Sequence, residues 1–357
     1  MRASYSFLYQ YAIPFTEPLM VKGQRLLQRE GIILALKSRN EQHTAYGEIA
    51  PLPGLHHETL QAAGEQLLGL FSTRDLASLD SLPPGLFPSV RTGVEMAMIN
   101  LEAAMSGISP VFSPSGASAE RVPLNALLFG DTPHVMQRAE EYFNLGYRTF
   151  KLKLTASGMD SAIRSIDGLH RTYGDRMRLR LDANQSLSLD EALDFARQIP
   201  QGSIAYIEEP LNHPEHIGEF YAKTAIHSAL DETLWQNPKL LNLIPSASLS
   251  ALILKPNRLG GIRAALRLAR YAAEHNLLAV FSSAFESGIS LSFYSWLAAS
   301  TAAEPAACGL DTYRYLEHDL LTIPFVATNG HLEPHKLYRE GQGVSHRHLK
   351  LTSLWTL

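Results

Sequence analysis

The stretch Arg178-Leu179-Arg180-Leu181-Asp182-Ala183-Asn184-Gln185 has the pattern of a short strand that ends in a carboxylate and breaks into a polar turn. Side chains alternate faces along a strand, so Arg178, Arg180 and Asp182 share one side and Leu179 and Leu181 the other. Charges on one face fit a surface strand. They equally fit a barrel strand whose last inward residue reaches an active site. Recurrence of the pattern separates the two, and it recurs.

From Val122 onward, strand–helix units repeat. Strands are expected at 122–128, 149–154, 178–182, 204–208, 228–231, 251–255, 278–282 and 306–310. Asp131-Thr132-Pro133 opens a helix that Gly146 closes, and Ser188-Leu189-Asp190-Glu191 is a capping-box pattern. Gly260-Gly261 precedes a long Ala/Leu/Arg helix that runs to His275. Parallel strands need helical crossovers, so eight such units predict an α/β fold, a (β/α) TIM-like barrel. A doubly wound open sheet is the alternative.

Residues 1–110 lack this rhythm and predict a smaller α+β domain. Strands at 32–37 and 44–49 form a hairpin, and Ala50-Pro51-Leu52-Pro53-Gly54 forces an irregular loop. Helices are expected at 58–71 and 90–105. The second has a buried face of Val94, Met98, Leu101 and Met105, and Gly107 is its stop. Residues 109–118, rich in Ser, Pro and Gly, read as the crossing into a barrel domain spanning 111–320. The tail, 321–357, is expected to return to the first domain.

With 45% hydrophobic and 18% charged residues, the 357-residue chain is globular with a large core. A net charge of −4 gives no electrostatic reason to expect nucleic acid or an anionic membrane as partner. Cys308 is the only cysteine, which suits a reducing compartment, and it reads as a small core hydrophobe. No window approaches the ~20 apolar residues of a membrane span, so a soluble cytoplasmic protein is expected.

Lys151 and Lys153, Asp182, Glu208 with Glu209, Asp231 with Glu232, and Lys255 end successive strands. From Lys153 they lie 29, 26, 23 and 24 residues apart, each about one βα repeat. In a barrel that places them on the C-terminal rim, where active sites are built. Three oxygen ligands on rigid strand ends suit a hard divalent cation, best Mg2+, with Mn2+ as an alternative ion. Without thiolates or paired histidines, zinc does not fit. Crowding Lys151 and Lys153 beside a cation is expected to lower a lysine pKa toward that of a neutral amine base. The combination predicts proton abstraction from a carbon next to a carboxylate, on a small anionic substrate. Taken singly, each piece has a plainer role: Lys-x-Lys as a solvated face, Asp231-Glu232 as a helix cap, Asn184 as an Asx-turn, Gly260-Gly261 as a tight connection. Together they would be costly to bury unpaired.

These motifs, Lys151-Leu152-Lys153, Asp182-Ala183-Asn184, Ile207-Glu208-Glu209-Pro210, Asp231-Glu232 and Lys255-Pro256-Asn257, resemble the enolase superfamily, in its muconate-lactonizing-enzyme-like subgroup. That resemblance spans nearly the whole chain and makes the first domain a capping domain. It implies Lys153 as the base that removes an α-proton, Lys255 as positive charge on the opposite face, and Asp182, Glu208 and Asp231 as metal ligands. Glu209 and Glu232 would support those ligands. Lys151, Arg180, Asn184, Ser283, Glu286 and Ser287 would bind substrate or support the site, with 283–288 receiving a distal carboxylate. The implied reaction is a dehydration. Racemisation of N-acylamino acids, epimerisation of dipeptides, and non-catalytic binding of a carboxylate stand as rivals. Asp311-Thr312-Tyr313 lacks the Asp-x-Asp pair usual in dipeptide epimerases.

Overall fold

The computed structural model describes residues 3–73, 78–112, 116, 118–154 and 158–356. The expected crossing at 109–118 lies partly, at 113–115 and 117, outside the described residues.

The chain opens with β1 (Ala3–Val21), β2 (Gln24–Ser38) and β3 (Thr44–Ile49), followed by α1 (Leu60–Thr73) and α2 (Pro88–Ser106). Strand β1, not anticipated from sequence, pairs antiparallel with β2 along almost its whole length. The last strand of the chain, β13 (Lys350–Thr356), pairs with β1, giving an antiparallel sheet in the order β13-β1-β2-β3. Helix α2 lies directly on β3: a Cβ on Gly47 would fall 1.9 Å from the Gly93 carbonyl oxygen. Two bare backbones are therefore needed where strand and helix touch. Val94, Met98 and Leu101 are buried as expected, but Met105 is 48% exposed, because the last turn of α2 runs past the sheet. Gly107, left-handed at φ +70°, stops the helix and donates to the Ala103 carbonyl.

The barrel follows. Its elements in order are β4 (Val122–Pro123), β5 (Asn125–Leu128), α3 (Thr132–Asn144), β6 (Thr149–Lys153), α4 (Met159–Tyr173), β7 (Arg178–Asp182), α5 (Leu189–Ala196), β8 (Ile207–Glu208), α6 (Ile217–Thr224), β9 (Ser228–Leu230), α7 (Glu232–Gln236), β10 (Leu249–Leu254), α8 (Pro256–Leu259), α9 (Ile262–Glu274), β11 (Leu278–Phe281) and α10 (Gly288–Thr301). Strands β5 to β11 form one parallel sheet in sequence order. The eighth strand expected at 306–310 does not form a ladder. Cys308 bridges Leu124 and Gly309 bridges Ser282, both in parallel, so two short bridges close the ring. A Cβ on Gly309 would meet Ser282 Oγ at 2.5 Å, which explains the glycine at that seam. The expected strand at 204–208 shortens to β8, although Ala205 N still donates to the Leu179 carbonyl at 2.7 Å.

Leucines and phenylalanines of the outward strand faces, such as Phe150, Leu152, Leu179 and Leu181, pack against the helices. Inside the ring, Tyr206, Ala229, Ala251, Ile253 and Val280 form a separate small apolar cluster beneath the rim. A short ribbon of β4 with β12 (His331–Leu332), then α11 (Pro334–Glu340), leads back to the capping sheet. Cys308 is buried, and burial pushes its thiol up to about 12, so it behaves as core. Among the described residues no helix is long and apolar enough to cross a membrane.

Candidate active site

Register places the rim. Lys153 pairs with Asp182, Asp182 with Glu208, and Lys151 with Arg180, so these residues occupy matched levels on adjacent strands. Asp231 follows β9 and Lys255 follows β10, each one residue past its strand. In an eight-position ring β6 and β10 are four places apart, which sets Lys153 and Lys255 on opposite sides of the barrel mouth.

Asp182, Glu208 and Asp231 are each about 1% exposed and are held by lysines. Lys151 Nζ contacts Asp182 Oδ2 at 2.7 Å and Glu208 Oε1 at 2.6 Å. Lys153 Nζ contacts Asp182 Oδ2 at 2.6 Å and Asn184 Oδ1 at 2.9 Å. Lys255 pairs with Asp231. The Lys151 side chain is 13% exposed and that of Lys153 34%, so Lys153 is the one open to the mouth.

Burial works against the charge of Asp182, yet the ammonium groups of Lys151 and Lys153 hold its carboxyl well below the usual range. Glu208 goes the other way, pushed up to about 8, first by burial and then by the Asp182 charge. The expected lowering of lysine pKa is reversed at Lys151, and Lys255 is shifted the same way. Burial opposes their charge, but the carboxylates around them, Asp182 and Glu208 for Lys151 and Asp231 for Lys255, raise both above the ordinary value.

The supporting residues are laid out in layers. Glu209, fully buried at φ +43°, turns away from the mouth. Its Oε1 accepts from the backbone of Asp231 and Thr233 at 2.7 Å each, and its Oε2 from Thr233 Oγ1 and Gln185 Nε2. It thereby fixes the strand end that carries Asp231, and burial pushes it up to about 7. Glu232 accepts from Asn184 Nδ2 at 3.0 Å, which aims the Asn184 oxygen at Lys153. Arg180, 2% exposed, donates to the Ala307 carbonyl at 2.7 Å and stacks over Tyr206, 5.2 Å from the ring.

A cavity opens at the mouth, lined among others by Lys151, Lys153, Arg180, Glu208, Lys255 and Ser283. Glu286 and Ser287 do not line it. Both are buried below the loop after β11, where Ser287 caps α10 and Glu286 accepts from the Ala284 backbone. Of the two roles expected for them, substrate contact or support of the site, their burial fits support: the loop turns at Phe285, so only its first half faces the mouth. Asn125 and Tyr206 line the cavity without having been singled out from sequence, and Phe285 does so from within the expected 283–288 loop. Tyr206 had a signal, since it stands two residues before Glu208 and so shares its face.

Asp231 Oδ1 is buried without a partner among the described residues, and burial together with the Asp182 charge makes Glu208 resist ionisation. Among the described residues no three acidic, histidine or cysteine side chains already converge into a cage; the lysine ammonium groups take the carboxylate oxygens instead. The donor set, carboxylate oxygens on three adjacent strand ends, still fits a hard divalent cation.

Strand-end carboxylates and opposed lysines in a barrel mouth, beneath a small α+β cap, define an enolase-type barrel enzyme. The description "Enolase C-terminal domain-like" matches residues 134–348 and "MenC, N-terminal domain" matches residues 3–101. The o-succinylbenzoate synthase of Haemophilus influenzae is 30% identical, over 88% of this chain and 91% of the relative. That of Aliivibrio fischeri is 31% identical, over 85% and 89%. Protein PHYLLO of Arabidopsis thaliana is 30% identical over 82% of this chain, which spans only 20% of that protein. The chain belongs to the o-succinylbenzoate synthase family of the enolase superfamily, and by that membership is an enzyme, a lyase. Among solved structures, an enolase-superfamily member from Roseovarius nubinhibens complexed with magnesium superposes with TM-score 0.86 at 18% identity, covering 100% of both chains. The L-Ala-D/L-Glu epimerase of Bacillus subtilis does so with TM-score 0.80 at 18% identity, covering 93% of this chain and 96% of the epimerase. At these identities the likeness is one of fold.

Proposed function

We propose that the protein is a cytoplasmic o-succinylbenzoate synthase of menaquinone biosynthesis. It dehydrates 2-succinyl-6-hydroxy-2,4-cyclohexadiene-1-carboxylate, and neither nucleic acid nor membrane takes part. The observation that carries this reading is the pair of lysines, Lys153 and Lys255, facing each other across a mouth built on three buried carboxylates. Residues 111–320 hold the chemistry, under a cap made by 1–110 with 321–357.

Asp182, Glu208 and Asp231 would hold the divalent cation, Mg2+ or Mn2+. When bound it supplies positive charge to the substrate carboxylate, easing loss of the neighbouring proton. Lys153, the more open lysine, takes the α-proton and returns it to the departing hydroxide on the same face, giving syn elimination of water. Lys255 opposes the negative charge of the ene-diolate from the other side. Lys151, sunk between Asp182 and Glu208, holds the Asp182 carboxylate ionised and orders the pair. Ser283, on the cavity wall, would receive the distal succinyl carboxylate; its hydroxyl is shared with Thr312 Oγ1 at 2.7 Å and the Gly309 carbonyl at 3.2 Å.

The same opposed lysines suit a second reading, racemisation of N-acylamino acids by proton exchange on two faces. Substrates bearing a free ammonium are disfavoured, because Asp311 is already engaged by Arg314 Nε and the Tyr147 hydroxyl at 2.9 and 2.8 Å. Mass-spectrometric identification of o-succinylbenzoate from the Mg2+-loaded protein and the cyclohexadiene substrate tests the first reading. Absence of product together with deuterium incorporation into N-acylamino acids would move the assignment to the second.

A further inference from the structure

The loop between β11 and α10 forms one wall of the cavity through Ser282, Ser283 and Phe285. Phe285 has φ +62°, in the left-handed region that a bulky side chain rarely adopts unless its surroundings over-determine it. The barrel restrains the loop through Gly309 at Ser283 and Asp319 at Gly288, and the cap holds it at Phe285 and Ser287. Arg29 of β2, 1% exposed, donates from Nε to the Phe285 carbonyl at 3.1 Å. Its terminal nitrogens are spent on the carbonyls of Glu30, Pro51 and Ala50. Glu48 of β3, 2% exposed, accepts from Ser287 N at 3.0 Å, Ser287 Oγ at 2.9 Å and Ser290 N at 3.2 Å, and from the Tyr11 hydroxyl of β1. Those N–H groups open α10, where a carboxylate is favoured by hydrogen bonding and by the helix dipole. The Phe285 ring is meanwhile edge-on to Phe15 of β1 at 6.0 Å and to Tyr315 at 5.6 Å. Arg29 and Glu48 thus grip the loop before and after Glu286, and neither is among the residues lining the cavity.

We infer that Arg29 and Glu48 are positioning residues through which the cap sets the substrate-facing wall of the barrel. The identity of the substrate here rests on the function proposed above. In the full-length enzyme, Glu48→Gln and Arg29→Lys are compared with wild type by hydrogen–deuterium exchange, by binding of o-succinylbenzoate and by steady-state kinetics. Faster exchange confined to 283–291 is expected, with KM and the product Kd raised about tenfold while kcat stays within about threefold. Folded variants with unchanged loop exchange and unchanged KM overturn the inference, as does a fall in kcat at constant KM. Should Glu48→Gln fail to fold, Ser287→Ala, which removes the hydroxyl's bonds to Glu48 and to the Ile289 N–H, is read by the same outcomes. Exchange requires no substrate. A wild type inactive on the cyclohexadiene substrate would therefore count against the proposed function while leaving the loop measurement decisive for the grip.

Discussion

Lys153 and Asp182 stand directly opposite each other on adjacent parallel strands, and the ammonium reaches Asp182 Oδ2 at 2.6 Å. Lys151 reaches the same oxygen from two residues deeper, at 2.7 Å. One carboxylate oxygen is thus shared by a lysine open to the mouth and a lysine sunk in the barrel, and the proposed function assigns chemistry to the first and stability to the second.

Lys153→Met is expected to lower kcat by roughly 10²–10⁴-fold, the usual contribution of a general base, with little change in melting temperature. Lys151→Met leaves Asp182 and Glu208 buried without their shared cation, which should cost about 3–5 kcal/mol of stability. Thermal melts beside initial rates separate the two. Equal effects of both substitutions on stability would refute the division.

Removal of divalent metal should abolish activity, and Mg2+ should restore it. Saturation at a hundred times Kd stabilises the fold by about 2.7 kcal/mol through mass action. Melting with and without Mg2+ reads this directly. Asp231→Asn, at the carboxylate with an unpartnered buried oxygen, should erase the shift. A shift that survives in the variant would place the ion elsewhere.

Between strand and helix of the cap, Gly93→Ala would drive a Cβ to 2.5 Å of Ile49 Cγ1 and 2.8 Å of the Glu48 carbonyl oxygen. Overpacking of that kind costs about 1–3 kcal/mol or more, so denaturant midpoints should fall. Gly64→Ala, whose Cβ would lie 3.4 Å from Ile32 Cδ1 on α1, is the control. It should be neutral or gain up to about 1 kcal/mol from helix propensity.

His56 supplies the pH dependence. Its Nδ1 accepts from the Leu52 backbone at 2.9 Å, so Nε2 carries the proton and donates to the Asn257 carbonyl at 3.1 Å. Burial first, then the Arg258 and Arg29 charges, pushes it down to about 3. The folded pKa lies below the unfolded one, so its contribution is complete above about pH 6.5 and is lost as pH falls toward 3. Within that window the slope approaches about 1.4 kcal/mol per pH unit. Urea titrations at pH 7, 6 and 5 should show that slope in wild type and a flatter one in His56→Gln. Parallel curves would contradict it.

Much of this was legible in the chain because period-two alternation and a βα repeat of about 25 residues locate strand ends without any fold in hand. Asp182, Glu208 and Lys255 sit on those ends, and a regular repeat puts them in register. Strand β1 was hidden because nothing in its own residues marks pairing with β13 from the far end of the chain. The eighth strand misled because alternation around Cys308 cannot show that the ladder is only two bridges long. Which of two roles Glu286 and Ser287 would take, substrate contact or support, was not legible, because a single left-handed residue, Phe285, sets which side of the loop meets the mouth. Positive φ at a non-glycine residue leaves no mark in sequence. The raised pKa of Lys151 likewise depends on carboxylates 31 and 57 residues away, at Asp182 and Glu208.

The most direct measurement is the ultraviolet-monitored rate on 2-succinyl-6-hydroxy-2,4-cyclohexadiene-1-carboxylate with Mg2+, run beside Lys153→Ala and a chelated sample. Rapid loss of substrate absorbance in wild type, abolished in both controls, is the expected result. A folded, metal-loaded protein that leaves the substrate unchanged, or a Lys153→Ala variant that matches wild type, would contradict it.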